Sequence, residues 1–96
     1  MTRFVLTRAA ARDIREIHAY IAAQRPQAAR TIRERIFSAI QRLAQSPGLG
    51  HTRKDLTDKP VLFWPVSRYL IIYDPTKSPL RIIRVLDGAR DFADLL

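Results

Sequence analysis

Apolar side chains recur at helical spacing through the first half of the chain. Between residues 8 and 23 they return in steps of four, three and four, at Ala10, Ile14, Ile17 and Ile21. This spacing places them on one face of a helix. Pro26 interrupts the pattern and suits the first turn of a second helix. The apolar positions of that second helix are Ala29, Ile32, Ile36, Ile40 and Leu43. Because so few residues separate the two helices, the sequence predicts an antiparallel helical hairpin over residues 8–45.

The second half of the chain changes to short segments rich in β-branched and aromatic residues. These segments cover residues 61–64, 69–73 and 80–86, and a turn with two prolines over residues 74–79 separates the last two. Strands joined this closely pair in the antiparallel direction. An alternating segment at residues 3–6 predicts a further, short strand at the start of the chain.

Together these elements predict an α+β fold with the order β-α-α-β-β-β, in a single domain over residues 1–96. The N-terminal helical hairpin is expected to pack on one face of a small, mainly antiparallel sheet. Residues 3–6 and 61–87 form that sheet, and residues 91–96 form a short apolar tail.

The strand that begins at Tyr69 is apolar on both faces. Tyr69, Ile71 and Tyr73 point one way, whereas Leu70 and Ile72 point the other. A two-helix hairpin covers only one face of a small sheet. The other face is either an exposed apolar surface of the kind that binds proteins, or it is covered by loops and the C-terminal tail. The pattern leaves both alternatives open.

Charge adds a preference for acidic partners. The formal net charge is +8, and nine arginines against three acidic residues give the first 50 residues +6 of it. Such a field attracts polyanions or an acidic protein, although solubility alone is an alternative explanation. The chain has no cysteine and no signal-like or membrane-length apolar segment, so a cytoplasmic location is expected.

Few residues suggest catalysis or cofactor binding. The only histidines are His18, on the rim of the first helix, and His51, which follows a glycine-containing loop. No metal-binding motif or phosphate-binding loop is present, so no cofactor and no metal are expected.

Two places favour contact with a partner instead. Arg84 and Arg90 flank the glycine-containing turn after the last strand, although local pairing of Arg90 with Asp87 or Asp91 is an alternative. Trp64 precedes Pro65, which cannot donate to a sheet ladder and so favours a sheet edge or a bulge. A tryptophan there either anchors a partner or packs in the core.

Five stretches, in order over nearly the whole chain, resemble the ParE branch of the RelE/ParE toxin superfamily. They are Leu6-Thr7 with Ala10 and Asp13-Ile14; Ile17 with Tyr20-Ile21-Ala22; Pro26 with Ala28-Ala29; Arg68 to Tyr73; and Ile83 to Asp91. The resemblance implies the same element order, a cognate ParD-like antitoxin and poisoning of DNA gyrase by binding. Many relatives have His where this chain has Asp87, so a group that titrates near neutral pH is missing here.

Two sets of candidate residues follow from the pattern and the resemblance. The target-binding candidates are Arg68, Arg84, Asp87, Arg90 and Trp64. The antitoxin-binding candidates are Tyr69, Ile71, Tyr73, Ile14, Ile17 and Ile21. No membrane contact and no sequence-specific binding to nucleic acid are expected.

Two other functions stay open. RelE-type relatives cleave mRNA on the ribosome, and the arginines here suit a phosphorane-like transition state. Those nucleases place a catalytic Tyr near the C-terminus, where this chain has Phe92, Leu95 and Leu96, none of which transfers a proton. This difference favours a protein without enzymatic activity. The third possibility is a nontoxic basic binding module.

Overall fold

A computed structural model describes residues 3–90 and gives the element order predicted from the sequence. The elements are β1 (Phe4–Leu6), α1 (Arg8–Ala22), α2 (Pro26–Gln45), a short 3-10 turn (Pro47–Leu49), β2 (Leu62–Val66), β3 (Tyr69–Asp74) and β4 (Leu80–Asp87). Thr7 caps α1, since its Oγ1 accepts a hydrogen bond from the backbone N–H of Ala10 at 3.0 Å. Pro26 occupies the first turn of α2, as predicted. The predicted tail lies outside the described residues.

The four strands form one mixed sheet in the order β1-β4-β3-β2. β1 pairs with β4 in the parallel direction, and the β4–β3 and β3–β2 pairs are antiparallel. The prediction of a mainly antiparallel sheet is therefore confirmed. Pro65 lies in β2, an edge strand, where its missing N–H costs no ladder hydrogen bond within the sheet.

The helical hairpin covers one face of the sheet, and the main core lies between them. Its fully buried side chains include Ile36, Ile40 and Leu43 from α2 and Ile71 from β3. Burial of a side chain of this size contributes about 1.5–3 kcal/mol relative to exposure. This packing fixes the position of α1 and α2 against the sheet.

The possibility that the other face of the sheet is an open apolar surface is wrong. Ile72 is fully buried there, and it packs with Val61, Phe63 and Leu86 in a second apolar cluster. Leu56, from the segment between the 3-10 turn and β2, packs against the same cluster. The alternative that a loop covers this face is the correct one for the described residues.

A buried hydroxyl group anchors the turn that follows α2. Tyr73 Oη donates a hydrogen bond to the carbonyl of Pro47 at 2.6 Å and accepts one from the N–H of Gly50 at 2.8 Å. Burial raises the pKa of this phenol. A Cβ at Gly50 would lie 2.5 Å from the same oxygen, so the close approach explains the glycine.

Candidate functional site

Asp13 completes the hydrogen bonding of β4 where β1 stops. β1 pairs with β4 only as far as Ile82, so the outer edge of β4 beyond that point has no neighbouring strand. The carboxylate of Asp13, which is 6% exposed, accepts from the N–H of Val85 at 3.0 Å. The side chain of Thr7 also bonds this edge, through the carbonyl of Ile83 at 2.7 Å. These contacts tie α1 to β4.

Arg84 belongs to the same set of contacts between α1 and β4. The prediction that its guanidinium is free to contact a partner is wrong. Its Nε and Nη2 atoms donate to the two carboxylate oxygens of Asp13 at 2.7 and 2.9 Å. This bidentate geometry is the strongest form of an Arg–carboxylate pair. The hydrogen bonds to Asp13 raise the pKa of Arg84, while its partial burial opposes that rise. Its side chain is 19% exposed.

The turn after β4 is organised around Asp87. Its carboxylate pairs with Arg68 Nη2 at 2.6 Å and accepts from the N–H of Ala89 at 2.9 Å. The bond from Ala89 is the main cause that lowers the pKa of Asp87, and Arg68 and Arg90 add to it. The carbonyl of Arg68 also accepts from the N–H of Gly88 at 2.8 Å. The observed partner of Asp87 is thus Arg68, not Arg90 as the local alternative had it.

These residues border an open cleft of about 330 Å³ between α1 and the end of β4. The lining residues are Asp13, Glu16, Ile17 and Tyr20 from α1, and Arg68, Tyr69, Val85, Leu86, Asp87 and Arg90 from the sheet end. Three of the five target-binding candidates, Arg68, Asp87 and Arg90, therefore line the same cleft. Tyr20 is 80% exposed at the rim, which makes it a large aromatic side chain available to a partner.

Most antitoxin-binding candidates are buried within the described chain. Tyr69, Ile71, Tyr73 and Ile14 are at most 7% exposed, because they lie in the core between sheet and hairpin. Burial raises the pKa of Tyr69. The prediction that these four form an accessible surface is wrong. Of the six candidates, Ile17 and Ile21 remain, and both are half-buried.

Trp64 lies away from the cleft, on edge strand β2. It packs partly against the main core, which agrees with the core alternative. The guanidinium carbon of Arg42 lies 5.7 Å from the centre of its rings. His51 stacks on it with ring centres 6.1 Å apart and planes 13° apart.

The histidines do not join the cationic residues of the cleft. His18 lines a groove between the helices with Arg33 and Phe37, whereas His51 is exposed beside Trp64. Within residues 3–90, no group of three potential metal ligands comes together. In the same stretch, no helix is long and apolar enough to cross a membrane.

Sequence reasoning missed the role of Asp13, although a signal was present. Asp13 borders the apolar face of α1 that carries Ala10, Ile14 and Ile17. A carboxylate buried beside that face requires a partner, and Arg84 supplies it from 71 positions further along. The exposure of Tyr20 and the Arg42–Trp64 contact left no comparable signal in the sequence.

The comparison with known families agrees with this architecture. A family model described as the ParE toxin of the type II toxin–antitoxin system, parDE, matches residues 4–92. The chain belongs to this family of toxins. No curated protein matches the sequence.

A solved structure is similar over nearly its whole length. It is the chromosomal ParDE TA system from P. aeruginosa, which shares 21% sequence identity with this chain. The alignment covers 91% of this chain and 96% of that one, with a TM-score of 0.72. At this identity, the likeness supports the fold.

Proposed function

We propose that this chain is the toxin of a type II pair that poisons DNA gyrase in the cytoplasm by binding to it. In this proposal the toxin has no enzymatic activity, and a cognate ParD-like antitoxin neutralises it. The observation that carries the proposal is the match to the ParE toxin family over residues 4–92. The open α1–β4 cleft, which Arg68, Arg90 and Tyr20 line, supports it.

The character of the cleft supports binding over turnover. Arg68 and Arg90 are exposed at its rim beside Tyr20. Arginine and tyrosine are enriched among the residues that dominate protein–protein binding energy. The histidines, which are the usual general acids and bases, line other surfaces. The cleft thus offers charge and aromatic surface to a protein partner.

The antitoxin would use the adjoining flank of α1. Ile17 lines the cleft, and Ile21 follows one helical turn later, both half-buried. An apolar face of an amphipathic antitoxin segment fits such a surface. An antitoxin bound there would also cover Tyr20 and Arg90. It would therefore neutralise the toxin by blocking the same surface that binds the target.

A supercoiling assay with purified gyrase tests this proposal. We expect the chain to block supercoiling and to accumulate cleaved DNA. Arg90→Ala should raise the concentration needed by at least about tenfold, as the loss of an interface anchor does. Arg81→Ala is the matched control, because Arg81 is also an exposed arginine of the β4 region but lies far from the cleft, and it should leave inhibition unchanged.

Full supercoiling at a large excess of folded protein would contradict the gyrase proposal. Primer extension on translating ribosomes then distinguishes the alternatives. New mRNA ends that Arg68→Ala abolishes would indicate a ribosome-dependent nuclease. Intact message, together with harmless expression without any antitoxin, would indicate a nontoxic basic module.

A further inference from the structure

We propose that the groove between α2 and β2 binds the phosphate backbone of duplex DNA without sequence preference. This groove has a volume of about 490 Å³, and Arg35, Ser38 and Arg42 line it from α2, opposite Trp64 from β2. It lies apart from the α1–β4 cleft, because the two share no lining residue. The inference does not depend on gyrase as the target, since it concerns the purified chain alone.

Charge is the first argument for a polyanionic occupant. Helix α2 carries four arginines against the single acidic residue Glu34. Neither Arg35 nor Arg42 forms an ion pair within residues 3–90, and both are exposed. Arginine guanidinium groups match phosphate geometry. The groove therefore presents two cations that the described fold leaves unneutralised.

Spacing and rigidity are the second argument. Arg35 and Arg42 are seven residues apart, which places them on the same side of α2 and about 10.5 Å apart along its axis. Both arginines can therefore face the same polyanion. The guanidinium of Arg42 contacts the ring of Trp64, and His51 also stacks on Trp64. These contacts restrict the motion of the guanidinium. Less conformational entropy is then lost when Arg42 meets a phosphate.

The same contacts favour duplex over single-stranded DNA. Proteins that bind single strands without sequence preference rely on aromatic rings on which bases stack. The ring of Trp64 is partly buried and already contacts Arg42 and His51. The groove offers guanidinium groups rather than an open ring, and these suit a duplex whose bases stay stacked.

Fluorescence anisotropy with a labelled duplex of mixed sequence tests the inference across a range of salt concentrations. We expect Arg35→Gln with Arg42→Gln to weaken binding by on the order of tenfold and to reduce the salt slope by about 1.8, for two lost phosphate contacts. Arg12→Gln with Arg15→Gln removes the same charge from the exposed side of α1. That matched pair should weaken binding far less, and an equal loss in both pairs would overturn the proposal.

A change of opposite sign sharpens the test. Glu34 lines the groove, whereas Glu16 lines the α1–β4 cleft. Glu34→Gln should tighten DNA binding severalfold because it removes the groove's carboxylate, and Glu16→Gln should have little effect. If Glu34→Gln and Glu16→Gln change DNA affinity equally, the effect is one of overall charge, and the proposal that DNA binds in the α2–β2 groove is wrong.

Two further measurements identify the occupant. Arg35→Lys with Arg42→Lys keeps the charge, so this variant should retain most of the salt slope; loss of the salt slope with unchanged circular dichroism would contradict a charge contact with phosphate. Single-stranded DNA of the same length and polyglutamate serve as competing ligands. Stronger binding of either than of the duplex would overturn the assignment to duplex DNA.

Discussion

The two surfaces of this toxin use arginine in opposite ways. At the α1–β4 cleft, Arg68 pairs with Asp87, and beside the cleft Arg84 is held by Asp13. At the α2–β2 groove, Arg35 and Arg42 have no carboxylate partner within residues 3–90. Arg84 is committed to holding α1 against β4, whereas the pair of Arg68, whose side chain is 65% exposed, adds little to stability. The charge of Arg35 and Arg42 is available to a ligand.

The comparison shows that residue type alone does not identify a contact residue. Arg84 and Arg90 lie six positions apart at one end of β4, yet their surroundings differ. Arg84 is mostly buried against a carboxylate, and Arg90 is exposed. Removal of a committed arginine or its partner should therefore affect folding, whereas removal of an exposed one should affect binding.

The largest effect is expected from Asp13→Ala. This change leaves the guanidinium of Arg84 and the N–H of Val85 without the carboxylate that both contact. Breaking a buried pair by removal of one partner costs about 3–5 kcal/mol. The free energy of unfolding, measured by urea denaturation, should fall by that amount.

Glu16→Gln is the control for Asp13→Ala, because Glu16 is an exposed acidic residue of the same helix. It should leave stability within about 0.5 kcal/mol of the unchanged chain. A loss below about 1 kcal/mol for Asp13→Ala would contradict a structural role for the pair with Arg84.

A smaller, pH-dependent effect is expected from Asp87→Asn. The bond from Ala89 and the charge of Arg68 hold the folded-state pKa of Asp87 below its usual value. Its stabilising contribution is therefore present above the unfolded-state pKa of about 3.9, and it is lost as pH falls through the lower folded-state value. At pH 7 the variant should be less stable by about 0–1 kcal/mol.

Once pH falls below the folded-state pKa of Asp87, the stabilities of Asp87→Asn and the unchanged chain should converge. Urea denaturation of both proteins from pH 7 to pH 2.5 measures this difference directly. A difference that stays constant over that range would show that the carboxylate of Asp87 does not stabilise the turn through its charge.

The smallest effect on folding is expected from Arg35→Gln. Arg35 is exposed and has no ion-pair partner in residues 3–90. The free energy of unfolding, measured by thermal denaturation, should therefore change by less than about 0.5 kcal/mol. A larger loss would show that the α2–β2 groove is committed to the fold in the same way as the Asp13–Arg84 pair, which would remove the contrast between the two surfaces.

Much of the fold could be predicted from the sequence because its signals are local. Helical spacing from Ala10 to Leu43, the break at Pro26 and the short β-rich segments determine the order of elements. The segment between residues 51 and 60 has no periodic pattern, so its packing over the second face of the sheet could not be predicted. That packing decides between the open and the covered face, which the pattern had left as two alternatives.

The site was less predictable because its key contacts are long-range. Asp13 and Arg84 are 71 positions apart, and no local rule pairs them. Arg68, Asp87 and Arg90 were identified from the resemblance and from the turn they flank, and the structure brings them to one cleft. Their role in binding a target stays a prediction.

We propose that this toxin acts by stoichiometric contact and not by turnover. Titration of a fixed amount of gyrase with substoichiometric toxin, followed over time, tests it most directly. If the toxin acts by binding, the fraction of gyrase that is inhibited should be proportional to the amount of toxin added. At each amount of toxin, that fraction should then stay constant over time. Inhibition that continues to grow until a small fraction of toxin has inactivated all of the gyrase would contradict the claim.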